Sequence, residues 1–253
     1  MKEYTGFAQV YDMFMDNVPY DEWAEYLHSL LIENGVKDGI VCELGCGTGR
    51  MTRKLRDFGY DMIGVDISQE MLQIAIEQEN KPQDEQEILY LNQDMREFEL
   101  YGSVAAVVSV CDSMNYILEK DELLQTFKLV NNYLDPGGVF IFDMNTPYYY
   151  KKILGEQTIC ENREEGSFIW ENYYDPETRI NEFDITIYIG RNSSEKPLFE
   201  RFDETHYQRA YSIPEIKGLL KKAGMTNIKA FKVMTREEPD SHTERVYFIS
   251  SKI

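Results

Sequence analysis

The residues whose types and spacing suggest chemistry lie between Glu43 and Arg50, where glycines occupy three alternate positions. This segment follows an apolar run and precedes a helical pattern, so its turn ends at a helix N-terminus. Gly45 suits the tight turn, and Gly47 lets a ligand approach the backbone because it has no Cβ. The segment therefore predicts a ligand-binding loop between a strand and a helix.

Two acidic residues flank this loop and suit a ligand with hydroxyl and amino groups. Asp66 ends the next apolar run, 21 residues after Gly45, where a carboxylate can accept hydrogen bonds from both hydroxyls of a ribose. Glu43 ends the run before the loop and suits a positively charged amino group. Its alternative role is to pair with a nearby helix terminus.

The loop differs from two common nucleotide-binding patterns. The dehydrogenase fingerprint requires glycine or alanine at position 50, where this chain has Arg50. A phosphate-binding P-loop requires a Gly-Lys-Ser/Thr sequence, which does not follow here. The spacing therefore favours a ligand without a pyrophosphate, and a nicotinamide-dependent oxidoreductase is the less favoured alternative.

Five apolar runs alternate with helical patterns and must position these residues. This alternation is typical of a parallel sheet covered by helices on both faces and wound in both directions. Ser68 suits the cap of one of the helices. The predicted strands are 40–44, 61–66, 88–91, 104–110 and 139–143, and the predicted helices include 21–31, 52–58 and 121–134.

The pattern changes after the fifth strand, where polar and apolar residues alternate as in antiparallel strands. Ser212 then caps a further helix, and two final strands follow. We therefore predict an α/β fold: a doubly wound, Rossmann-like, seven-stranded, mostly parallel sheet with an antiparallel β insertion. Residues 1–150 and 210–253 form the main domain in this division, and residues 151–209 form the insertion.

Composition excludes several classes of function. The chain has 253 residues and a formal net charge of −19, which opposes nucleic-acid binding. No apolar run reaches the roughly 18 residues of a membrane-spanning helix. The N-terminus lacks an apolar signal core, so a cytoplasmic location is expected. The cysteine spacing fits no zinc site, and we predict no metal.

Further motifs give the chain a resemblance to the class I S-adenosylmethionine-dependent methyltransferases. The loop from Glu43 to Gly49, including Gly45, Cys46 and Gly47, resembles the family's first motif. Residues 93–96, 111–113 and 134–138 resemble the segments after strands three and four and before strand five. The resemblance covers the whole chain and is most specific over residues 40–145.

This resemblance implies S-adenosylmethionine as the cofactor and assigns roles to individual residues. Ile67 and Met71 would flank the adenine, Asp94 would accept from its amino group, and Met95 would pack on the ring. Cys111 would lie near the methionine moiety. Asp94 could instead cap a turn, and Met71 could instead be chiefly a core residue.

The N-terminal residues 7–12 and residues 94–98 resemble a subgroup that methylates small molecules such as glycine and nucleotide-linked amino sugars. In that subgroup the insertion covers the substrate site, and an N-terminal aromatic residue folds over the cofactor. Tyr11 matches that residue, although it could instead be a core aromatic. The resemblance therefore implies a small-molecule acceptor.

Methyl transfer from a sulfonium is an in-line displacement, which an enzyme can promote by positioning alone. A base is needed only where the acceptor must first lose a proton. His206 is the candidate base or substrate contact, against the alternative of an ordinary strand histidine. We expect transfer to nitrogen or oxygen. The alternatives are a non-catalytic S-adenosylmethionine-binding module and a protein target, and the oligomeric state is not predicted.

Overall fold

The predicted elements form in the computed structural model, which describes residues 8–79, 87–191 and 198–253. Residues 1–7, on which the argument against a signal peptide rests, lie outside this range. The helices are α1 (Ala8–Phe14), α2 (Tyr20–Glu33), α3 (Arg50–Asp57), α4 (Gln69–Glu77), α5 (Lys120–Tyr133) and α6 (Ile213–Lys222). A 3-10 helix, Ser113–Tyr116, and a π-helical turn, Tyr149–Leu154, join them.

Eleven strands are found in the described residues, and they form two sheets. The strands are β1 (Ile40–Leu44), β2 (Asp61–Asp66), β3 (Leu89–Asn92), β4 (Val104–Ser109), β5 (Leu134–Asn145), β6 (Thr158–Asn162), β7 (Gly166–Asp175), β8 (Ile180–Arg191), β9 (Leu198–Arg209), β10 (Thr226–Lys232) and β11 (Arg245–Ser251).

The larger sheet has seven strands in the order β10-β11-β5-β4-β1-β2-β3. β1 pairs in parallel with both β2 and β4, whereas β11 runs antiparallel to β5 and β10. The predicted Rossmann-like, mostly parallel sheet is therefore confirmed. The chain order reverses beside β1, and ligands of such sheets bind at the carboxyl ends of the strands at this point.

Helices cover both faces of this sheet, which explains why its central strands are apolar throughout. Successive side chains of a strand point to opposite faces. In β5, Phe140 and Phe142 pack with α5 and α6 on one face, whereas Val139 and Ile141 pack with α2 on the other. Burial on both sides leaves only the strand ends available for a site.

β5 starts earlier than the predicted strand 139–143, in the segment that contains Pro136, Gly137 and Gly138. β5 already begins at Leu134, which pairs with Val104, and the register then shifts before Val139. Gly137 has a φ of 80°, so the segment forms an irregularity inside the strand rather than a turn before it. Periodicity does not detect such irregularities.

The second sheet consists of β6-β7-β8-β9, all antiparallel, and lies between β5 and α6 in the chain. β6 was not predicted from the sequence. The predicted alternation in β8 is confirmed, since Phe183, Ile185, Ile187 and Ile189 are all buried. These four residues pack against Val10 and Phe14 of α1, so the N-terminal helix lies on the insertion sheet.

The predicted cap of α6 forms, and its glutamate has additional partners. Ser212 and Glu215 form a capping box, and Arg179 donates to both carboxylate oxygens of Glu215 at 2.7 and 2.9 Å. Lys120 lies 2.6 Å from the same group. Glu215 thereby joins α5, α6 and the insertion.

Replacing Glu215 by Gln is expected to lower the free energy of unfolding by about 1 kcal/mol at neutral pH, because the cap and a partly exposed ion pair are both weakened. Hydrogen bonds from Arg179 hold the pKa of Glu215 well below its usual 4.5. This stabilisation is present above that pH and is lost as the pH falls below it. Urea unfolding at several pH values measures it, with the exposed Glu177→Gln as control. Equal effects of the two substitutions would contradict the prediction.

Candidate functional site

A cavity of about 710 Å³ opens at the carboxyl ends of β1, β2 and β4, where the sheet topology predicts a ligand site. Eleven of the thirteen residues predicted for the site lie in its wall. They are Tyr11, Glu43, Gly45, Cys46, Gly47, Asp66, Ile67, Met71, Asp94, Met95 and Cys111. Gly49 and His206, both in the described part of the chain, are not among the lining residues.

The glycines of the loop after β1 serve different purposes. Gly45 has a φ of 73°, and a Cβ there would lie 2.7 Å from the side chain of Ser113. Gly47 has a φ of 54°, and a Cβ there would meet nothing within 4 Å, so its backbone borders open space. Gly49 caps α3 behind the cavity, where a Cβ would collide with the hydroxyl of Tyr90.

The carboxylate of Asp66 is held at the end of β2 by two backbone donors. The N–H of Gly47 donates to Oδ2 at 2.7 Å, and the N–H of Ser68 donates to Oδ1 at 2.8 Å. Burial raises the pKa of Asp66 despite these donors. A carboxylate has about four acceptor positions, so both oxygens retain capacity for hydroxyl groups of a ligand.

Glu43 is almost fully buried in the cavity wall, with 1% of its surface exposed. Thr52 of α3 donates a hydrogen bond of 2.5 Å to its Oε2. Burial raises the pKa of Glu43 to about 8, with a smaller contribution from the charge of Asp66. A positively charged ligand group beside Glu43 would favour its ionised form.

The cavity wall also carries an apolar and acidic set of side chains. Ile67 is 59% exposed there, and Met71, Asp94 and Met95 line the same cavity. Arg96 donates to both oxygens of Asp94 from its Nε at 3.0 Å. Burial would raise the pKa of Asp94, but these hydrogen bonds outweigh it and hold that pKa below its usual value.

An N-terminal segment contributes to the cavity wall and contacts the glycine loop. Tyr11 and Tyr20 both line it, and the guanidinium of Arg50 lies 4.3 Å from the centre of the Tyr20 ring. Thr48 donates to Asp12 of α1 at 2.7 Å. Tyr20 and Thr48 were not predicted from the sequence to belong to this site. The predicted N-terminal motif begins at Phe7, which lies outside the described residues.

The turn after β4 is held in an unusual conformation. Cys111 and Asp112 have φ angles of 58° and 54°, a left-handed region that non-glycine residues seldom occupy. Arg245 donates to Asp112 and, at 3.1 Å, to the buried Asp143. Gln208 of the insertion donates to Asp112 at 2.7 Å. Strain of this kind persists where surrounding contacts maintain it, as they do here.

His206 lies in the interior of β9 and is fully buried. Its Nε2 is 3.2 Å from Glu204, and its Nδ1 is 3.4 Å from the hydroxyl of Tyr116, which does line the cavity. His206 is therefore one side chain removed from the cavity. The neighbouring Trp170 is not among the lining residues either, and it packs on Phe183 with ring centres 4.9 Å apart.

Within the ranges 8–79, 87–191 and 198–253, no group of three or more His, Cys, Asp or Glu side chains is arranged to hold a metal ion. No helix in those ranges is both long and apolar enough to cross a membrane.

Comparison with known proteins gives consistent matches. A family described as "Methyltransferase domain" matches residues 41–138. Over 250 residues the chain is 33% identical to the "Putative methyltransferase YqeM" of Bacillus subtilis (strain 168), with 98% of this chain and 97% of that protein covered. It is 28% identical over 153 residues to the dTDP-3-amino-3,4,6-trideoxy-alpha-D-glucopyranose N,N-dimethyltransferase of Streptomyces venezuelae, with 59% and 60% covered.

The structure also matches a crystal structure over almost its full length. An S-adenosylmethionine-dependent methyltransferase from Clostridium acetobutylicum ATCC 824 has a TM-score of 0.84 and 29% identity. The match covers 97% of both chains. The similarity therefore includes the insertion as well as the larger sheet.

Proposed function

Because the chain belongs to the class I S-adenosylmethionine-dependent methyltransferases, we propose that it methylates a nitrogen atom of a small molecule. The observation that carries this proposal is the cavity at the ends of β1 and β2, with Glu43 and Asp66 in its wall. The name of the Streptomyces venezuelae relative, an N,N-dimethyltransferase, supports nitrogen as the acceptor atom.

The residues in the cavity wall fit the cofactor. Gly47 leaves room for close approach, and the oriented carboxylate of Asp66 suits two ribose hydroxyls. Glu43 suits the methionine ammonium group, and Asp94 with Met95 suits the adenine. When bound, the cofactor would supply a methyl group on positively charged sulfur: a nitrogen lone pair could bond to that methyl carbon in line, and the methyl–sulfur bond would break with loss of S-adenosylhomocysteine.

The charge of the cavity wall favours cationic ligands. Six acidic residues and two basic residues line it, namely Glu43, Asp66, Glu70, Asp94, Glu119, Glu122, Arg50 and Arg96. Arg96 is paired with Asp94 and Glu122, and Arg50 lies over the ring of Tyr20. An acidic wall stabilises a sulfonium and an ammonium and repels polyanions. Nucleic acid is therefore not proposed as the acceptor.

The insertion and α1 are proposed to cover the acceptor. Phe14 of α1 packs edge-on against Phe168 of the insertion at 4.8 Å, and α1 also contacts the glycine loop through Thr48. A cover of this kind excludes water and strengthens electrostatic interactions inside the cavity.

Calorimetric titration with S-adenosylmethionine, S-adenosylhomocysteine and NAD tests the cofactor site. Release of S-adenosylhomocysteine with glycine, D-glucosamine and dTDP-3-amino-3,4,6-trideoxy-α-D-glucopyranose then tests the reaction. We expect micromolar binding of the two sulfur ligands, no binding of NAD, and turnover with at least one amine. Binding without turnover of any amine would support the alternative of a non-catalytic cofactor-binding protein.

A further inference from the structure

A chain of polar side chains connects the insertion sheet to the cavity at Tyr116. This tyrosine ends the 3-10 helix Ser113–Tyr116 and lines the cavity. Its hydroxyl lies 3.4 Å from Nδ1 of His206, and the two rings meet edge to face with centres 6.0 Å apart. The tyrosine is therefore in contact with the cavity on one side and with a histidine on the other.

The histidine is held in one orientation by its own strand and the neighbouring one. Glu204 and His206 are two residues apart on β9, so their side chains leave the same face of the sheet. Oε2 of Glu204 lies 3.2 Å from Nε2, and the ring of Phe183 on β8 stacks on the imidazole at an interplanar angle of 4°. Glu204 and His206 are both buried.

This arrangement selects one tautomer of the histidine. A carboxylate oxygen accepts hydrogen bonds, so Nε2 carries the ring hydrogen and donates to Glu204. Nδ1 then has a lone pair directed at the hydroxyl of Tyr116, which donates to it. The chain of hydrogen bonds thus leads from the cavity inward, and each group in it can pass a proton to the next.

We propose that Tyr116 is a catalytic residue that removes a proton from the acceptor nitrogen, with His206 as the proton acceptor behind it and Glu204 as a positioning residue. The proposal rests on the proposed function and deepens it. The acceptor's N–H bond breaks and its proton passes to the oxygen of Tyr116. The hydroxyl proton of Tyr116 moves to Nδ1, so that the imidazolium pairs with Glu204 and the nitrogen keeps its electron pair.

This relay specifies the class of acceptor. An ammonium group has no lone pair and cannot attack a methyl group until it loses a proton. The acidic wall of the cavity favours the ammonium form of a basic amine, so a proton acceptor is required at the same place. The substrate class is therefore an aliphatic primary or secondary amine, rather than an amide or a carboxylate.

Kinetics of Tyr116→Phe test the catalytic role. The probe is the amine among glycine, D-glucosamine and the dTDP-linked amino sugar that gives the fastest release of S-adenosylhomocysteine. We expect kcat to fall at least about tenfold, with the KM for the amine and the Kd for S-adenosylmethionine changed by less than about threefold. His206→Asn can accept from the tyrosine but cannot take its proton, so it should lower kcat with KM unchanged.

Tyr211→Phe is the matched control for loss of a hydrogen-bonded tyrosine hydroxyl. Tyr211 is buried and donates to the carbonyl of Ile117, the residue after Tyr116, at 2.8 Å, but it is not among the lining residues. The kcat of the Tyr211→Phe variant should stay at the wild-type value. Equal losses in Tyr116→Phe and Tyr211→Phe would assign both effects to structure and overturn the relay.

A second measurement requires no turnover. The chain has three histidines, so the ring signals of His206 can be assigned in labelled protein with one substitution. Tyr116→Phe should shift these signals and Tyr211→Phe should leave them in place. Unchanged His206 signals in Tyr116→Phe would overturn the coupling.

The failure of the relay can be distinguished from the failure of the proposed function. Absence of turnover with every amine, while cofactor binding persists, would overturn both. Turnover that is unaffected by Tyr116→Phe would overturn only the relay.

Discussion

Replacing Asp66 by Asn is expected to weaken the binding of S-adenosylmethionine about a hundredfold, because charge-assisted hydrogen bonds are each worth about 1.5–3 kcal/mol. The N–H groups of Gly47 and Ser68 donate to the two different oxygens of this carboxylate. Asparagine has only one oxygen, so its amide nitrogen must face one of these donors. The substitution therefore removes one of the two acceptor oxygens available to the ribose and disturbs the glycine loop at the same time.

Calorimetry with S-adenosylhomocysteine and with adenosine measures this loss. Adenosine retains the ribose, so Asp66→Asn should weaken its binding by the same factor as that of S-adenosylhomocysteine. Asp61→Asn, at the opposite end of β2, is the control and should bind like the wild-type protein. A Kd for Asp66→Asn within about threefold of the wild-type value, in protein that unfolds normally, would refute the ribose-binding role.

Cofactor affinity is expected to rise with pH through the titration of Glu43. Burial raises the pKa of this group to about 8 in the ligand-free protein, so it retains its proton at neutral pH. A ligand ammonium beside it favours the ionised form, and binding therefore releases a proton. Affinity should increase by up to about tenfold per pH unit between about pH 6 and pH 7.5. Above about pH 8 the ligand's own α-amino group begins to lose its charge.

The raised pKa of Glu43 also makes the stability of the ligand-free protein depend on pH. The unfolded chain loses the Glu43 proton near the usual pKa of 4.5, whereas the native protein holds it to about pH 8. The native state therefore binds more protons over this range, and the contribution of Glu43 to stability decreases as the pH rises through it. Bound cofactor should offset this decrease, so the increase in Tm caused by the ligand should become larger toward pH 8.

Two controls isolate Glu43 from other titrating groups such as Asp66. Glu43→Gln imitates the protonated carboxyl group, so its affinity should equal that of the wild type near about pH 6 and should remain flat as the pH rises. 5′-Methylthioadenosine lacks the amino acid portion, and its binding to the wild type should not depend on pH in this range. A steep slope that survives in Glu43→Gln would assign the effect to another group.

Local sequence patterns were sufficient to predict the fold and one part of the cavity wall. β1 and β2 begin and end at the predicted residues, Ile40–Leu44 and Asp61–Asp66, because apolar runs and their flanking turns are encoded by neighbouring residues. Gly45 and Gly47 were identified for the same reason. Their conformational freedom is a property of the residue type and does not depend on its distant contacts.

Tertiary structure decided which distant residues meet. Tyr116 and His206 are 90 positions apart, and Asp112 and Arg245 are 133 apart, so no spacing rule relates them. His206 was selected from the sequence as a candidate base, but its burial behind Tyr116 depends on how β9 packs on the turn after β4. Periodicity predicts which face of a strand is buried, whereas the partner that covers that face follows from the packing of the two sheets.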